Sequence, residues 1–461
     1  MTKIIIIGAG ISGLTAAYWL KRKGFCATVL EKNNRPGGSI ETSRGGGYLF
    51  ERGPNSFLDN APETLELCSL LNLENELLKQ SMRGNARYIY LNGKLHEVPS
   101  GLGALWKTEL LSGKAKRGLL KEIFRSGNRS PEDESLAQFI RRRFGDEILQ
   151  NIVTPFVSGV YAGDPDKLSL RGTFPMLYDL ERQHGGLMRG GIARMFRRKK
   201  PTDAKKKPHA KNLCSFVDGL QTLTDALARE LGNDLRLNTG VREVGRNPDG
   251  GYIVQTEGGE ALTADIILFA APAYALPDML KSLLPQSTAY WSSIPYNRLC
   301  IACLGCRKQD IRHGCQGFGF LAPRGQGIRI LGSIWNSSLF ARRAPAGERC
   351  FSVFIGGGLD PQAFDLSDEE IMRQVREDMK ISLGADGEAV HQEIARWERA
   401  IPQYPIGHVE AMERIRQEQS ALPGLFFTGN YLNGVSMNDC IRNAKETAEK
   451  IAQTLAGTHS L

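Results

Sequence analysis

A chain of 461 residues with 41% hydrophobic and 24% charged residues has room for two or three domains and a large core, which excludes a disordered or fibrous protein. It has no run of about 18 apolar residues, so no membrane-spanning helix is expected. No basic, apolar leader precedes the first strand, so no signal peptide is expected either. The net charge is +9, and nine scattered cysteines suit a reducing compartment better than a disulfide scaffold.

The chain opens on four consecutive isoleucines, Ile4 to Ile7, a pattern that suits a strand buried on both faces. Gly8, Gly10 and Gly13, with Ala9, Ile11 and Ser12 between them, fill a G-x-G-x-x-G frame. The first glycine permits a tight turn, the second lets a pyrophosphate approach the backbone, and the third lets a helix pack on the strand. That helix is expected from Ser12 to about Arg22, its N-terminus facing the phosphates. Cys26 to Leu30 is a second strand. Glu31 closes it, about 20 residues past the glycines, where a carboxylate accepts ribose hydroxyl protons. The strand, helix and acid together separate this frame from a tight turn that binds nothing. Arg35-Pro36-Gly37-Gly38 adds a second glycine pair. It resembles the extended FAD fingerprint of the glutathione-reductase-like and amine-oxidase-like flavoproteins.

Further along, Gly53-Pro54 turns the chain into a helix over 62–71. Tyr88 to Leu91, Asn92-Gly93 and Lys94 to Val98 form a hairpin with a two-residue turn. From Leu102 to Arg197 the pattern is helical, with breaks at Gly113, Gly127 and Pro131. Ala115 to Arg125 is amphipathic and basic. Arg194 to Lys211 concentrates positive charge and reads either as a solvated loop or as a segment drawn to anionic lipid. Nucleic acid is not expected, because no aromatic platform interleaves these charges. A helix opens near Phe216–Leu223, a strand runs from Asp234 to Val244, and a ribbon follows from Tyr252 to Leu262. Asp265 to Pro272 is a buried strand. Residues 297–358 are strand-rich, and within them Cys300, Cys303 and Cys306 alternate in facing, which favours buried thiols over iron–sulfur ligands. Ser367 to Ser382 is a helix. Leu425 to Asn430 is a strand and loop, and Ser436 to Leu455 is a helix capped by Ser436 or Asn438.

Five stretches carry a nearly end-to-end resemblance: Gly-Pro-Asn-Ser-Phe at 53–57, Gly-Val-Tyr-Ala-Gly-Asp-Pro at 159–165, Ile-Pro-Gln-Tyr at 401–404, Gly-His at 407–408 and Gly-Val-Ser-Met-Asn-Asp-Cys-Ile at 434–441. They resemble the oxygen-dependent protoporphyrinogen oxidases, a flavin family that includes coproporphyrinogen III oxidases. Arg52 and the Lys-rich 194–211 loop depart from the family pattern. The resemblance implies an α/β fold: a Rossmann-like FAD-binding domain of the amine-oxidase/glutathione-reductase type, a mixed-sheet substrate domain and a helical, membrane-associating insertion. The expected division is FAD-binding parts at 1–84, 212–275 and 391–461, a substrate-domain hairpin at 85–98, the insertion at 99–211 and the substrate domain at 276–390.

The implied reaction is six-electron oxidation of protoporphyrinogen IX in haem biosynthesis, with dioxygen consumed and hydrogen peroxide released. Coproporphyrinogen III is the alternative substrate. An amine or carotenoid oxidoreductase, or a flavin-bound factor without turnover, are more distant readings. The cofactor contacts that carry over are Gly8, Ala9, Gly10, Ile11, Ser12, Gly13, Glu31, Lys32, Gly38, Ser39, Gly53, Pro54, Asn55, Ser56, Val241 near the adenine, Trp397, and Val435, Ser436 and Met437 beside the flavin ring. The substrate contacts that carry over are Arg87, Gly159, Phe318, Gly319, Leu321, Ile334 and Phe354. From spacing alone these apolar residues read as core packing, and Arg87 as a strand arginine suited to holding a propionate. No Ser/His/Asp set or metal-ligand spacing is found among seven histidines, so no protein catalytic residue and no metal are expected. The expected setting is the cytoplasm, peripheral on the inner face of the cell membrane, and a homodimer is compatible with it.

Overall fold

The computed structural model describes residues 2–81, 85–127, 132–191 and 212–458. Two sheets organise them. Their strands in chain order are β1 (Ile4–Ile7), β2 (Ala27–Leu30), β3 (Arg87–Leu91), β4 (Lys94–Glu97), β5 (Leu235–Arg236), β6 (Ile266–Phe269), β7 (Tyr296–Arg307), β8 (Gly319–Leu321), β9 (Gly332–Ile334), β10 (Glu348–Gly356), β11 (His391–Pro402) and β12 (Leu425–Phe427).

The first sheet is parallel throughout, in the order β5-β2-β1-β6-β12. Ile4 and Ile6 pack on one face with Leu14 and Leu20 of helix α1 (Ile11–Arg22), while Ile5 and Ile7 pack on the other with Trp291 and Phe427. Four β-branched residues thus serve two cores at once, as the isoleucine run predicts. The second sheet runs β11-β7-β10-β9-β8-β3-β4 and is mixed: β8 and β3 are parallel, the other neighbours antiparallel. The β3–β4 turn places Asn92 at φ 53° and Gly93 at φ 77°, both left-handed, as an Asn-Gly hairpin requires.

Helix α3 (Asp368–Leu383) covers one face of the mixed sheet through Ile371, Val375 and Met379. Its Ser367 and Glu370 form a reciprocal capping box. Cys300 and Cys306 lie in this core, whereas Cys303 lies on the opposite face with Leu299 and Ile301. Burial pushes the Cys300 and Cys306 thiols up to about 11, so they remain protonated and apolar in character.

Between the hairpin and residue 191 the described chain is helical, with a core of Leu136, Phe139, Ile140, Leu149 and Val157. One of these helices is α2 (Thr154–Tyr161). Arg143 and Glu122 form a fully buried ion pair at 2.5 Å, and the Glu122 carboxylate also accepts from the Leu187 and Met188 backbone N–H groups. A buried pair survives only when most of its remaining valences are met. The Arg143 terminal nitrogens also donate to the Arg125, Ser126 and Gly185 carbonyls, and its Nε lies 3.5 Å from Glu181 without a hydrogen bond.

Three expectations are revised or narrowed. The strand expected over 234–244 is two strands in different sheets, β5 and Val241–Arg246. The chain breaks between them because Asn238 takes φ 52° and the Asn238 and Thr239 N–H groups donate to Asn33 and Glu31 carbonyls. The break expected at Gly113 lies just before it, over 108–112, and Gly113 itself starts the helix Gly113–Lys121, capped by Ser112. The C-terminal helix α4 (Met437–Thr458) is capped by Ser436, whose hydroxyl oxygen accepts from Asp439 N–H at 3.1 Å. Asn438 instead donates to Leu58 O and accepts from Thr64. Pro131 and the basic 194–211 stretch lie outside the described residues.

Candidate active site

The glycine frame forms the turn between β1 and α1. Gly8 takes φ 105°, and a Cβ on Gly13 would stand 1.9 Å from the Gly8 carbonyl oxygen, so only glycine allows the helix this close. Around Gly10 the situation is reversed: a Cβ there meets nothing within 4 Å. The Glu31 carboxylate is buried and accepts from Ala9 N–H at 2.8 Å and from Asn33 N–H at 2.9 Å. Lys32 beside it is exposed. Thr239 N–H donates to Glu31 O, which brings Val241, two residues on, to the same end of the sheet.

The second glycine pair joins this cradle. Gly37 N–H donates to Ala9 O, and the Gly38 Cβ position lies 3.2 Å from Gly10 Cα. Arg35 locks the segment, donating to the carbonyls of Pro36, Gly38 and Ile40 and pairing with Glu41. A Cβ on Gly53 would stand 1.9 Å from Ser39 O, so residues 53–56 lie against this turn. Trp397 Nε1–H donates to Arg52 O at 2.5 Å and ties β11 to the same place. Asn55 Nδ2 is buried without an acceptor among the described residues. At the far end, Ser436 caps α4, Val435 is half-buried beside it, and Met437 belongs to the α1 core.

The predicted substrate residues fall on β3, β8, β9 and β10 and on α2. Register places Arg87 beside Gly319, Gly319 beside Ile334, Leu321 beside Gly332, and Gly332 beside Phe354. Leu321, Ile334 and Phe354 share the face opposite α3, and with Phe318 they are half-buried. Gly319 and Gly332, both buried, carry no side chain between them. Helix α2 closes the other side, where a Cβ on Gly159 would lie 2.3 Å from Leu321 Cδ2. Arg87 is exposed, its guanidinium 5.5 Å from the Phe318 ring centroid.

The sequence reading does not reach Phe156 and Val160, the exposed apolar residues flanking Gly159 on α2. Their i, i+4 spacing was the available signal. Nor does it reach the links among the quoted motifs. Gln403 donates to Tyr161 O at 2.9 Å, and Asn297 donates to Ala162 O at 2.7 Å. His408 is buried, hydrogen-bonded to Tyr290 and stacked on Tyr404 at 4.3 Å, and burial lowers its pKa to about 4. It is a neutral packing residue at physiological pH.

A family model described as flavin-containing amine oxidoreductase matches residues 11–452. The chain belongs to this family. It is 31% identical to the coproporphyrinogen III oxidase of Bacillus subtilis over 96% of both chains. It is 34% identical to the chloroplastic protoporphyrinogen oxidase of rice, covering 98% of this chain and 88% of that one. Among solved structures, one from Exiguobacterium sp. 255-15 superposes with a TM-score of 0.82 at 25% identity, covering 98% and 99% of the two chains. A putrescine oxidase structure, 17% identical with a TM-score of 0.72 over 98% and 99%, shares the fold.

The cofactor is FAD, and the residues present fit it. The open space over Gly10, the buried Glu31 carboxylate and the unpartnered Asn55 amide are what a dinucleotide with a polar ring edge would fill.

Proposed function

We propose that this chain oxidises protoporphyrinogen IX to protoporphyrin IX. The observation that supports this most is the slot outlined by one sheet face: no side chains at the buried Gly319 and Gly332, half-buried Leu321, Ile334 and Phe354 beside them, and an exposed arginine at one end. A flat, apolar macrocycle suits such a surface, and a propionate arm suits Arg87. FAD, when bound, supplies the redox chemistry: two electrons and two hydrogens pass to dioxygen in each of three rounds, giving three hydrogen peroxide per porphyrin.

The protein's part is position and electrostatics. Arg87 has no acidic partner among the described residues, so it is available to a substrate carboxylate. Gly159 lets α2 lie against Leu321 and excludes water from that edge of the ring. The capped N-terminus of α4 offers positive partial charge where Val435 and Ser436 lie, which favours negative charge on a neighbouring ring.

Similarity to a coproporphyrinogen III oxidase along nearly the whole chain favours a second reading, with coproporphyrinogen III as substrate. Its extra propionates would need further unpaired cations, whereas the walls of the slot are apolar. Anaerobic flavin reduction by each porphyrinogen, followed by peroxide release on admitting air, tests both readings. Faster reduction by protoporphyrinogen IX is expected, and reduction by neither would overturn the proposal.

No helix among the described residues is long and apolar enough to cross a membrane. We propose peripheral attachment to the inner face of the cell membrane through the helical segment. Trp106, Leu120 and Phe124 are exposed there, Phe124 to 84%, among exposed Lys107, Lys114 and Lys121.

A further inference from the structure

Strand β11 carries an irregularity that its neighbour does not share. Leu299 pairs with Trp397 and Asn297 pairs with Ile401, so four steps along β11 match two along β7. Arg399 stands at the centre of the extra residues. A bulge of this kind re-aims a side chain. Arg396, on the regular part of the strand, turns to the α3 side and is spent on Asp368 and the carbonyls of Phe364 and Leu366. Arg399 is exposed and has no acceptor among the described residues. Its guanidinium lies 4.4 Å from the Tyr274 ring centroid.

Tyr274 leads back to the glycine frame. It follows β6 by five residues, and Ala270, at the end of that strand, packs directly on the Gly8 and Gly13 positions. Its ring meets Tyr296 edge-on at 5.1 Å, and the Tyr296 hydroxyl accepts from Ala273 N–H, which fixes the loop. The Tyr274 phenol is also within electrostatic reach of the Glu31 carboxylate. The cradle itself contains no basic residue from Gly8 to Gly13. Arg35 is committed to its own turn, and Arg52 pairs with Glu41. Apart from the exposed Lys32 beside Glu31, a pyrophosphate there has the α1 N-terminus and little compensating charge of full strength.

We propose that the β11 bulge delivers Arg399, backed by Tyr274, to the adenosine diphosphate half of FAD, as a counter-charge supplied from the mixed sheet. An arginine on an aromatic ring is partly pre-organised for phosphate. The inference rests on FAD as cofactor and not on which porphyrinogen is oxidised, so a failure of the substrate reading leaves it standing.

Apoprotein stripped of flavin, titrated with FAD by fluorescence quenching and with ADP by calorimetry, tests it. Arg399→Ala should weaken both ligands about ten- to a hundredfold, the loss expected for a charge-assisted hydrogen bond. Arg399→Lys should recover part of the affinity. Wild-type FAD affinity should fall with added salt more steeply than that of Arg399→Ala. If Arg399→Ala does not survive stripping, FAD release from the intact Arg399→Lys and Tyr274→Ala holoproteins decides, with faster release expected. Unchanged affinity for FAD, an ADP affinity insensitive to Arg399, or unchanged release rates would overturn the proposal.

Discussion

The backbone N–H of Ala9 donates to Oε2 of Glu31 across 2.8 Å, in a buried setting. The residue between the first two glycines is therefore held by the acid that ends β2, and turn and carboxylate are placed as one unit. Substitutions in the glycine frame should then separate by what a side chain meets. Gly13→Ala drives a methyl into the Gly8 carbonyl and should destabilise the fold, whereas Gly10→Ala meets open space. Gly10→Val should accordingly fold, by circular dichroism, yet purify without yellow cofactor. Full flavin content in Gly10→Val would contradict this.

The slot has a comparable close approach. Gly159→Ala should push Leu321 towards the ring position and raise KM, leaving flavin content unchanged. Leu321→Ala combined with it should restore much of the loss, because the clash is with that side chain alone. Two independent, additive effects in steady-state kinetics would remove the pair from the site.

Arg87 is exposed beside Phe318, so its pairing with a propionate is screened. Arg87→Ala should weaken substrate binding by about 1 kcal/mol, roughly fivefold in KM, with a smaller effect on flavin reduction at saturation. Arg87→Lys should fall between. Identical kinetics in all three proteins would exclude the contact.

Glu51 accepts from Thr42 and from Leu220 N–H, and burial raises its pKa from 4.5 to about 7 against these bonds and the Arg343 charge. The folded state therefore holds this proton where the unfolded state has lost it. The associated stability is fully present below pH 4.5 and is lost as pH rises through about 7. Its size is roughly 3 kcal/mol at most. Glu51→Gln should flatten the pH dependence of the urea midpoint between these limits, and a parallel offset at every pH would contradict the assignment.

The exposed Trp106, Leu120 and Phe124 predict binding to anionic liposomes in flotation. Removing Phe124 and Leu120 together should weaken binding at both low and high salt, while salt alone should weaken it by screening the lysines. Absence of wild-type binding in either condition would end this proposal.

What could be read from the sequence was local. The isoleucine run, the glycine frame, the Asn92-Gly93 hairpin and the opposed facing of Cys300 and Cys303 follow from periods of two residues and from backbone conformations that few residues adopt. What could not be read depends on distant partners. The break at Asn238 exists because Asn33 and Glu31 offer carbonyls to it. Arg399 is placed by a register mismatch that only the neighbouring strand reveals. Arg35 was visible as part of a motif, but its grip on three carbonyls was not.

The parallel sheet has a consequence for synthesis. β1 and β2 emerge from the ribosome first, β6 much later, and β12 roughly 420 residues after β1, so the cradle waits about twenty to eighty seconds at ordinary elongation rates before its last strand exists. Helix α4, which covers α1, comes later still. Until then the side of α1 that meets Ile441, Ala444 and Ala448 has nothing to lie against. A chain that stalls before residue 425 should therefore be sticky and colourless, and the arrival of yellow colour should mark the completed polypeptide.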